Sequence, residues 1–220
     1  MALTEKLGIV VDTWALTQKG FDLTREREAT DEVFEAIRTS PDFPKSERTR
    51  LLDVGSCSKG SSFVNRYGEE FPNVEITYLD NYEPFIAALN KPNKVCADAT
   101  AMPFPDEHFD IVYTNGVIAN GILKRDESML ERLKKRRRDG SLIYIHKTEI
   151  DAAMPDRSYR IAKEAYRISK KRGLFIFALV EADEEETKRN LTEIGFGELR
   201  HLLREKWCGG WATDTYLARK

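Results

Sequence analysis

From Arg50 onward, short apolar runs bounded by turn residues alternate with amphipathic stretches of helical length, and this alternation restricts the fold more than any other feature of the chain. The runs "RLLDV" (50–54), "VEITYL" (74–79), "KVCA" (94–97), "FDIVYT" (109–114) and "SLIYIHK" (141–147) read as strands. Between them Lys59 to Glu70, Glu83 to Asn90 and Arg125 to Arg138 read as helices, each closed by glycine, proline or asparagine. Strands separated by helices call for a parallel sheet with crossover connections, since parallel neighbours cannot be joined by a tight turn. The first fifty residues differ: two helical segments, Glu5 to Gln18 and Thr24 to Thr39, precede the breaker "SPDFP" (40–44). At the far end a helix over Asp183 to Ile194 and a Gly195-Phe196-Gly197 turn lead into "ELRHLLREKWC" and "WATDTYLARK", which can pair as an antiparallel hairpin. Leu174 to Val180 fits either an added strand or the apolar wall of a lid.

With 220 residues the chain can build one well-buried core, and 41% hydrophobic with 33% charged residues describes a globular domain with a heavily solvated surface. A formal net charge of -2 asks for no polyanionic partner. Cys57, Cys96 and Cys208 are far apart and form no Cys-x-x-Cys pair, so neither a disulfide framework nor a zinc ribbon is expected, and the metal expectation is none. No basic leader followed by a long apolar stretch opens the chain, and no run is long enough to span a bilayer. The expected setting is the cytoplasm.

A parallel sheet binds its ligand outside the carboxyl ends of its strands, where crossovers part and helix N-termini present free amides. Asp53-Val54-Gly55-Ser56-Cys57-Ser58-Lys59-Gly60 closes the first strand, Asp80-Asn81 follows the second, Asp98-Ala99 the third and Asn115-Gly116 the fourth. Carboxylates at three successive strand ends suit a ligand that offers a cationic amine, a pair of ribose hydroxyls and an exocyclic amino group.

The span from Leu51 to Ile145 resembles the class I S-adenosylmethionine-dependent methyltransferases, of the methyltransferase type 11-like subtype. The residues that carry the likeness are "LLDVGSCSKG", "TYLDNYEPFIAAL", "CADATAMPFPDEHFDIVYTNGVI" and "RLKKRRRDGSLIYI", and the phrase "MPFPDEHFDIVYTN" is the most specific of them. The resemblance implies a Rossmann-like three-layer α/β sandwich, with a mostly parallel seven-stranded sheet and a C-terminal antiparallel hairpin. It implies S-adenosyl-L-methionine as cofactor, with Asp53, Gly55, Ser56 and Cys57 along its methionine end, Asp80 and Asn81 at the ribose, Asp98 and the Ala99 amide at the adenine, and Asn115 beside the sulfonium. Residues 1–49 are then an N-terminal helical cover and 50–220 the cofactor domain, with 148–183 an acceptor lid. The expected activity is methyl transfer to an O or N nucleophile, a small molecule being favoured as acceptor. The alternative is a non-catalytic relative that senses the cofactor or serves as a partner subunit.

The departures from the family pattern favour that alternative. The first motif ordinarily runs acidic-x-Gly-x-Gly-x-Gly, but here Cys57 and Lys59 occupy the second and third glycine positions and Gly60 comes one place later. After Val117-Ile118 the chain has Ala119-Asn120 where the subtype often has Glu-His, so an acid or base commonly found there is missing. The Gly55 to Gly60 loop alone also admits a nicotinamide dinucleotide, with Asp80 on the ribose; Asp98-Ala99 and "MPFP" argue against it. Absence of Asn/Asp-Pro-Pro-Tyr/Phe after the fourth strand, and of a Pro-Cys nucleophile, gives no support to base methylation of DNA or attack on a pyrimidine ring.

The basic runs "KKRRR" (134–138) and "RISKKRG" (167–173) read as solvated ends of elements rather than a nucleic-acid surface. Of the three histidines, His108 lies in the polar loop "PDEHFD", and His146, at the end of the run 141–147, is the candidate general base for an acceptor. Lys147 and Asp151 have weaker claims to the same role, and Trp14 and Tyr113 read as aromatic lining or core.

Overall fold

A computed structural model describes residues 34–35, 38–39, 48–57, 59–115, 117–118, 156–180, 184–206 and 212–220. Seven strands form one sheet: β1 (Arg50–Val54), β2 (Glu75–Asp80), β3 (Lys94–Cys96), β4 (Phe109–Thr114), β5 (Ser169–Val180), β6 (Glu198–Lys206) and β7 (Ala212–Arg219). Their order is β3-β2-β1-β4-β5-β7-β6. Strands β1 to β5 are parallel, and β7 runs antiparallel to both β5 and β6. The terminal hairpin therefore completes a mostly parallel α/β sheet, as the sequence leads one to expect.

Both faces of the sheet are covered, so β1 and β4 are buried along nearly their whole length instead of on alternate residues. On one face Leu52, Val54, Val112, Phe175 and Phe177 pack against α3 (Arg157–Ile168) and α4 (Glu184–Ile194), through Ile161, Ala162, Ala165, Ile168 and Leu191. On the other, Leu51, Tyr78, Ile111, Tyr113 and Ile176 meet Phe63, Val64 and Tyr67 of α1 (Ser62–Glu70). Helix α1 stops at Phe71, before Pro72, a residue that disfavours helix in its predecessor. The short α2 (Glu83–Ala88) starts on Pro84 and connects β2 to β3.

Phe34 is buried against Phe63, Tyr67 and Phe71, with the Arg66 guanidinium over its ring. Phe34 thus joins the cluster through which α1 meets the sheet. Tyr113 is core, stacked on Phe63 at 4.8 Å.

Pairing decides the reading that the sequence left open for Leu174 to Val180. The place beside β4 belongs to Ser169–Val180, paired from Ile111↔Leu174 to Thr114↔Phe177. Leu174 to Val180 is therefore a central strand and not a lid wall. Residues 157–180, within the stretch 148–183 expected to form a lid, make α3 and β5 in the body of the sandwich, because both bury apolar faces there. The expected helix 125–138, the run 141–147 and the candidates His146, Lys147, Asp151 and Trp14 lie outside the described residues.

The chain winds outward from β1 to β3, then returns to place β4 on the other side of β1. At such a reversal, here the carboxyl ends of β1 and β4, a parallel sheet of this kind ordinarily takes its ligand.

Candidate functional site

The loop leaving β1 is folded by hydrogen bonds at each step. Gly55 and Ser56 donate their N–H groups to Leu79 O at 2.7 and 3.1 Å, and Gly60 N–H donates to Ser56 O at 2.9 Å. Asp53, fully buried, accepts from the Ser61 N–H at 2.8 Å and from Ser61 Oγ at 2.6 Å, so it clasps the loop to the start of α1. Enclosed in this way, the carboxylate of Asp53 fixes the course of the loop. Burial, opposed by the Ser61 hydrogen bonds and helped by the nearby Asp80 charge, pushes its carboxyl up to about 6.

Gly55 and Gly60 have φ of +78° and +76°. At Gly55 a Cβ would collide with Val117 Cγ2, so only glycine fits. Cys57 lies between them at φ +53°, the same left-handed region but with a side chain. Its N–H donates to Asp80 Oδ2 at 3.0 Å. Although the residue as a whole is exposed, its sulfur lies low enough in the loop for burial, and then Asp80 and Asp53, to push the thiol up to about 11. The loop therefore disfavours the Cys57 thiolate. Lys59 is exposed, two places before Ser61.

Asp80 closes β2 with its carboxylate largely covered: besides Cys57, the Tyr82 N–H donates to Oδ1 at 2.9 Å. Each oxygen still has a lone pair for a hydroxyl donor. Asn81 is exposed beside it, and Tyr82, at 45% exposure the one large exposed hydrophobic among the described residues, stands edge-on to Phe85. The Ala97 N–H donates to Asp80 O at 3.0 Å, bringing the end of β3 to the same edge. Beyond it, Asp98 Oδ1 accepts from the Thr100 N–H at 2.8 Å and from Arg157 Nη1 at 3.3 Å. Partial burial raises the Asp98 carboxyl, but the Thr100 hydrogen bonds and Arg157 outweigh it and hold the group below its ordinary value. Ala99 is buried, and Asn115 is exposed immediately after β4.

Asp53 and Asp80 thus share one neighbourhood through Cys57, while Asp98 lies along the same rim, tied to α3. Ser61, Val117 and Arg157 were not singled out from sequence. Ser61 carried a signal, a serine immediately before an apolar helical stretch; Arg157 carried none, because its partner is 59 residues away.

These features fit an adenosine-bearing group. A glycine loop closes β1, packed against Val117; two acidic side chains present acceptors beside it, and Ser56 Oγ and Thr114 Oγ1 are buried after β1 and at the end of β4 without hydrogen-bond partners.

A family model described as Methyltransferase domain matches residues 52–177, from β1 into β5. The chain belongs to that family. The cofactor such a methyltransferase domain takes is S-adenosylmethionine, and the three-layer fold agrees. A search of curated proteins finds no significant match. Among solved structures, the fold is similar to the [4+2]-cyclase SpnF (TM-score 0.56, 14% identity, covering 92% of this chain and 84% of that one). It is also similar to an S-adenosylmethionine-dependent methyltransferase from Archaeoglobus fulgidus (0.51, 15%, 87% and 94%). A third is phosphoethanolamine N-methyltransferase 2 of Haemonchus contortus in complex with S-adenosyl-L-methionine (0.54, 12%, 86% and 52%). At such identities these neighbours speak for the fold alone, and the cyclase shows that a methyltransferase-like fold can carry another reaction.

Among the described residues no group of three side chains could hold a metal, and no helix is long and apolar enough to cross a membrane. Away from the crevice, at the amino ends of β4 and β5, Arg167 is bound to Glu164 and Asp106, and Lys170 to Asp110. Those two cations of "RISKKRG" are therefore neutralised locally; the run 134–138 lies outside the described residues. His108 is half-buried between Phe104 and Phe109 at that same edge, not the surface residue expected of a polar loop. His201 pairs with Asp214 on the terminal hairpin at 2.9 Å.

Proposed function

We propose that this methyltransferase domain binds S-adenosylmethionine across the β1–β4 crevice and passes its methyl group to an O or N nucleophile of a small-molecule acceptor. The reading is carried by Asp80: a nearly buried carboxylate at the end of β2, fixed by two backbone amides and lying against the β1 loop, is an acceptor pair suited to ribose hydroxyls. Gly55 and Ser56 would face the methionine end, Asp98 and Ala99 the adenine, and Asn115 the side nearest the sulfonium. Asp53 acts at one remove, by closing the loop on Ser61.

When bound, the cofactor supplies an already activated methyl group. The chain's task is to align donor and acceptor and exclude water, which needs no dedicated base unless the acceptor is protonated at working pH. Incubation with methyl-labelled S-adenosylmethionine and a panel of small amines and hydroxyl compounds should transfer label to one class and release S-adenosylhomocysteine. Cofactor binding with no transfer across such a panel would favour a non-catalytic cofactor sensor or partner subunit. The observation that favours this second reading is Cys57, a side-chain-bearing residue in left-handed conformation where the family places glycine.

A further inference from the structure

Helix α3 grips the loop after β3 along one stripe. Arg157 Nη1 stands 3.3 and 3.5 Å from the two carboxylate oxygens of Asp98. Glu164 accepts the Met102 N–H at 2.8 Å, and Arg167 donates to Met102 O at 2.9 Å and to Phe104 O at 2.8 Å. Positions i, i+7 and i+10 lie on one side of a helix, so all three reach residues 98–104, about sixty positions earlier in the chain. The loop that ends β3 is therefore fixed from α3 as well as by its own turn.

Two details single out Arg157. Its side chain is 11% exposed against 50% for Asp98, which makes the guanidinium the inner partner and leaves the carboxylate with open lone pairs on the outside. Its Nε is buried without a hydrogen-bond partner. A buried guanidinium with an unmet N–H is costly, and the charge of Asp98 is what offsets it. Held by Arg157 and the Thr100 amide, the Asp98 carboxylate becomes an acceptor of fixed direction. Such an acceptor accepts from a ring amino group and repels a carbonyl oxygen in the same place.

We propose that Arg157 is a positioning residue for base recognition: by anchoring the Asp98 carboxylate from α3, it makes the crevice select a purine with an exocyclic amine over one with a carbonyl there. The inference rests on the cofactor reading above, and Arg157 acts through Asp98 without touching the reacting atoms.

Calorimetric titration of S-adenosylhomocysteine and S-inosylhomocysteine into the whole protein tests it. Wild type should prefer the adenine compound about tenfold or more, the worth of one well-aligned charged hydrogen bond. Arg157→Met should bring that ratio below about threefold by weakening the adenine compound alone, and Arg157→Lys should restore most of it. If the methionine variant does not fold, Arg157→Gln, which keeps length and polarity without charge, should show the same collapse. A ratio unchanged in the neutral variant, an equal loss for both ligands, or no preference in wild type overturns the proposal while the cofactor reading stands. Failure of wild type to bind either compound overturns both.

Discussion

Cys57 holds a left-handed backbone between two glycines, and the cost of that conformation for a residue with a side chain is about 1–2 kcal/mol. Glycine at this position gives back part of the gain through its freer unfolded chain. Cys57→Gly should therefore stabilise the protein by ~0.5–1 kcal/mol, read as a higher urea midpoint at unchanged slope, and S-adenosylhomocysteine should bind more tightly once the side chain has left the loop. Asp53 makes a pH prediction with a defined sign. Burial pushes its carboxyl up to about 6 from the ordinary 3.8, so the folded state holds the proton more strongly. Stability from this group is fully present below pH ~4 and is lost as pH rises through ~6, by ~2–3 kcal/mol. Asn at position 53 can still satisfy Ser61 and has no charge to bury. The stability of Asp53→Asn relative to wild type should accordingly rise by that amount between pH 4 and 7, as denaturant titrations would show; a flat difference would remove the burial argument.

Elements explain what could be read in advance and what could not. Strands β1 and β4 are legible to the residue, since each is a short apolar run closed by a turn and buried on both faces. Leu174 to Val180 could not be assigned between strand and lid wall in advance, because so short an apolar run carries the same local signal in either. What decides is pairing with β4, and no window of sequence contains that. The same limit applies to the stripe on α3. Arg167→Ala should cost ~1.5–3 kcal/mol by removing charged hydrogen bonds to Met102 and Phe104, and hydrogen exchange should quicken in 98–106 with α1 unchanged. On the opposite face, Phe34→Ala should cost ~3–5 kcal/mol, because the ring is enclosed by Phe63, Tyr67 and Phe71. A loss below ~1 kcal/mol in thermal or denaturant unfolding would mean that the N-terminal segment is not fastened there.

At the scale of the whole molecule, the winding reverses between β1 and β4, where a parallel sheet takes its ligand, and Asp80 ends β2 while Asp98 lies two residues past β3 at those same carboxyl ends. The acidic residues at the strand tips could be singled out because a parallel sheet takes its ligand at strand ends. Their partners could not: Asp53 binds Ser61 and Asp98 a distant arginine, both consequences of packing between elements. The central claim is that Asp80 holds the sugar of an adenosine cofactor. It is tested most directly by calorimetric titration of S-adenosylhomocysteine into wild type and Asp80→Ala. The expected result is one-to-one binding by wild type, weakened in the variant by ~1.5–3 kcal/mol, roughly ten- to a hundredfold. Equal affinity in the two proteins, or no binding by wild type at about millimolar ligand, about 4 kcal/mol of affinity, would contradict it.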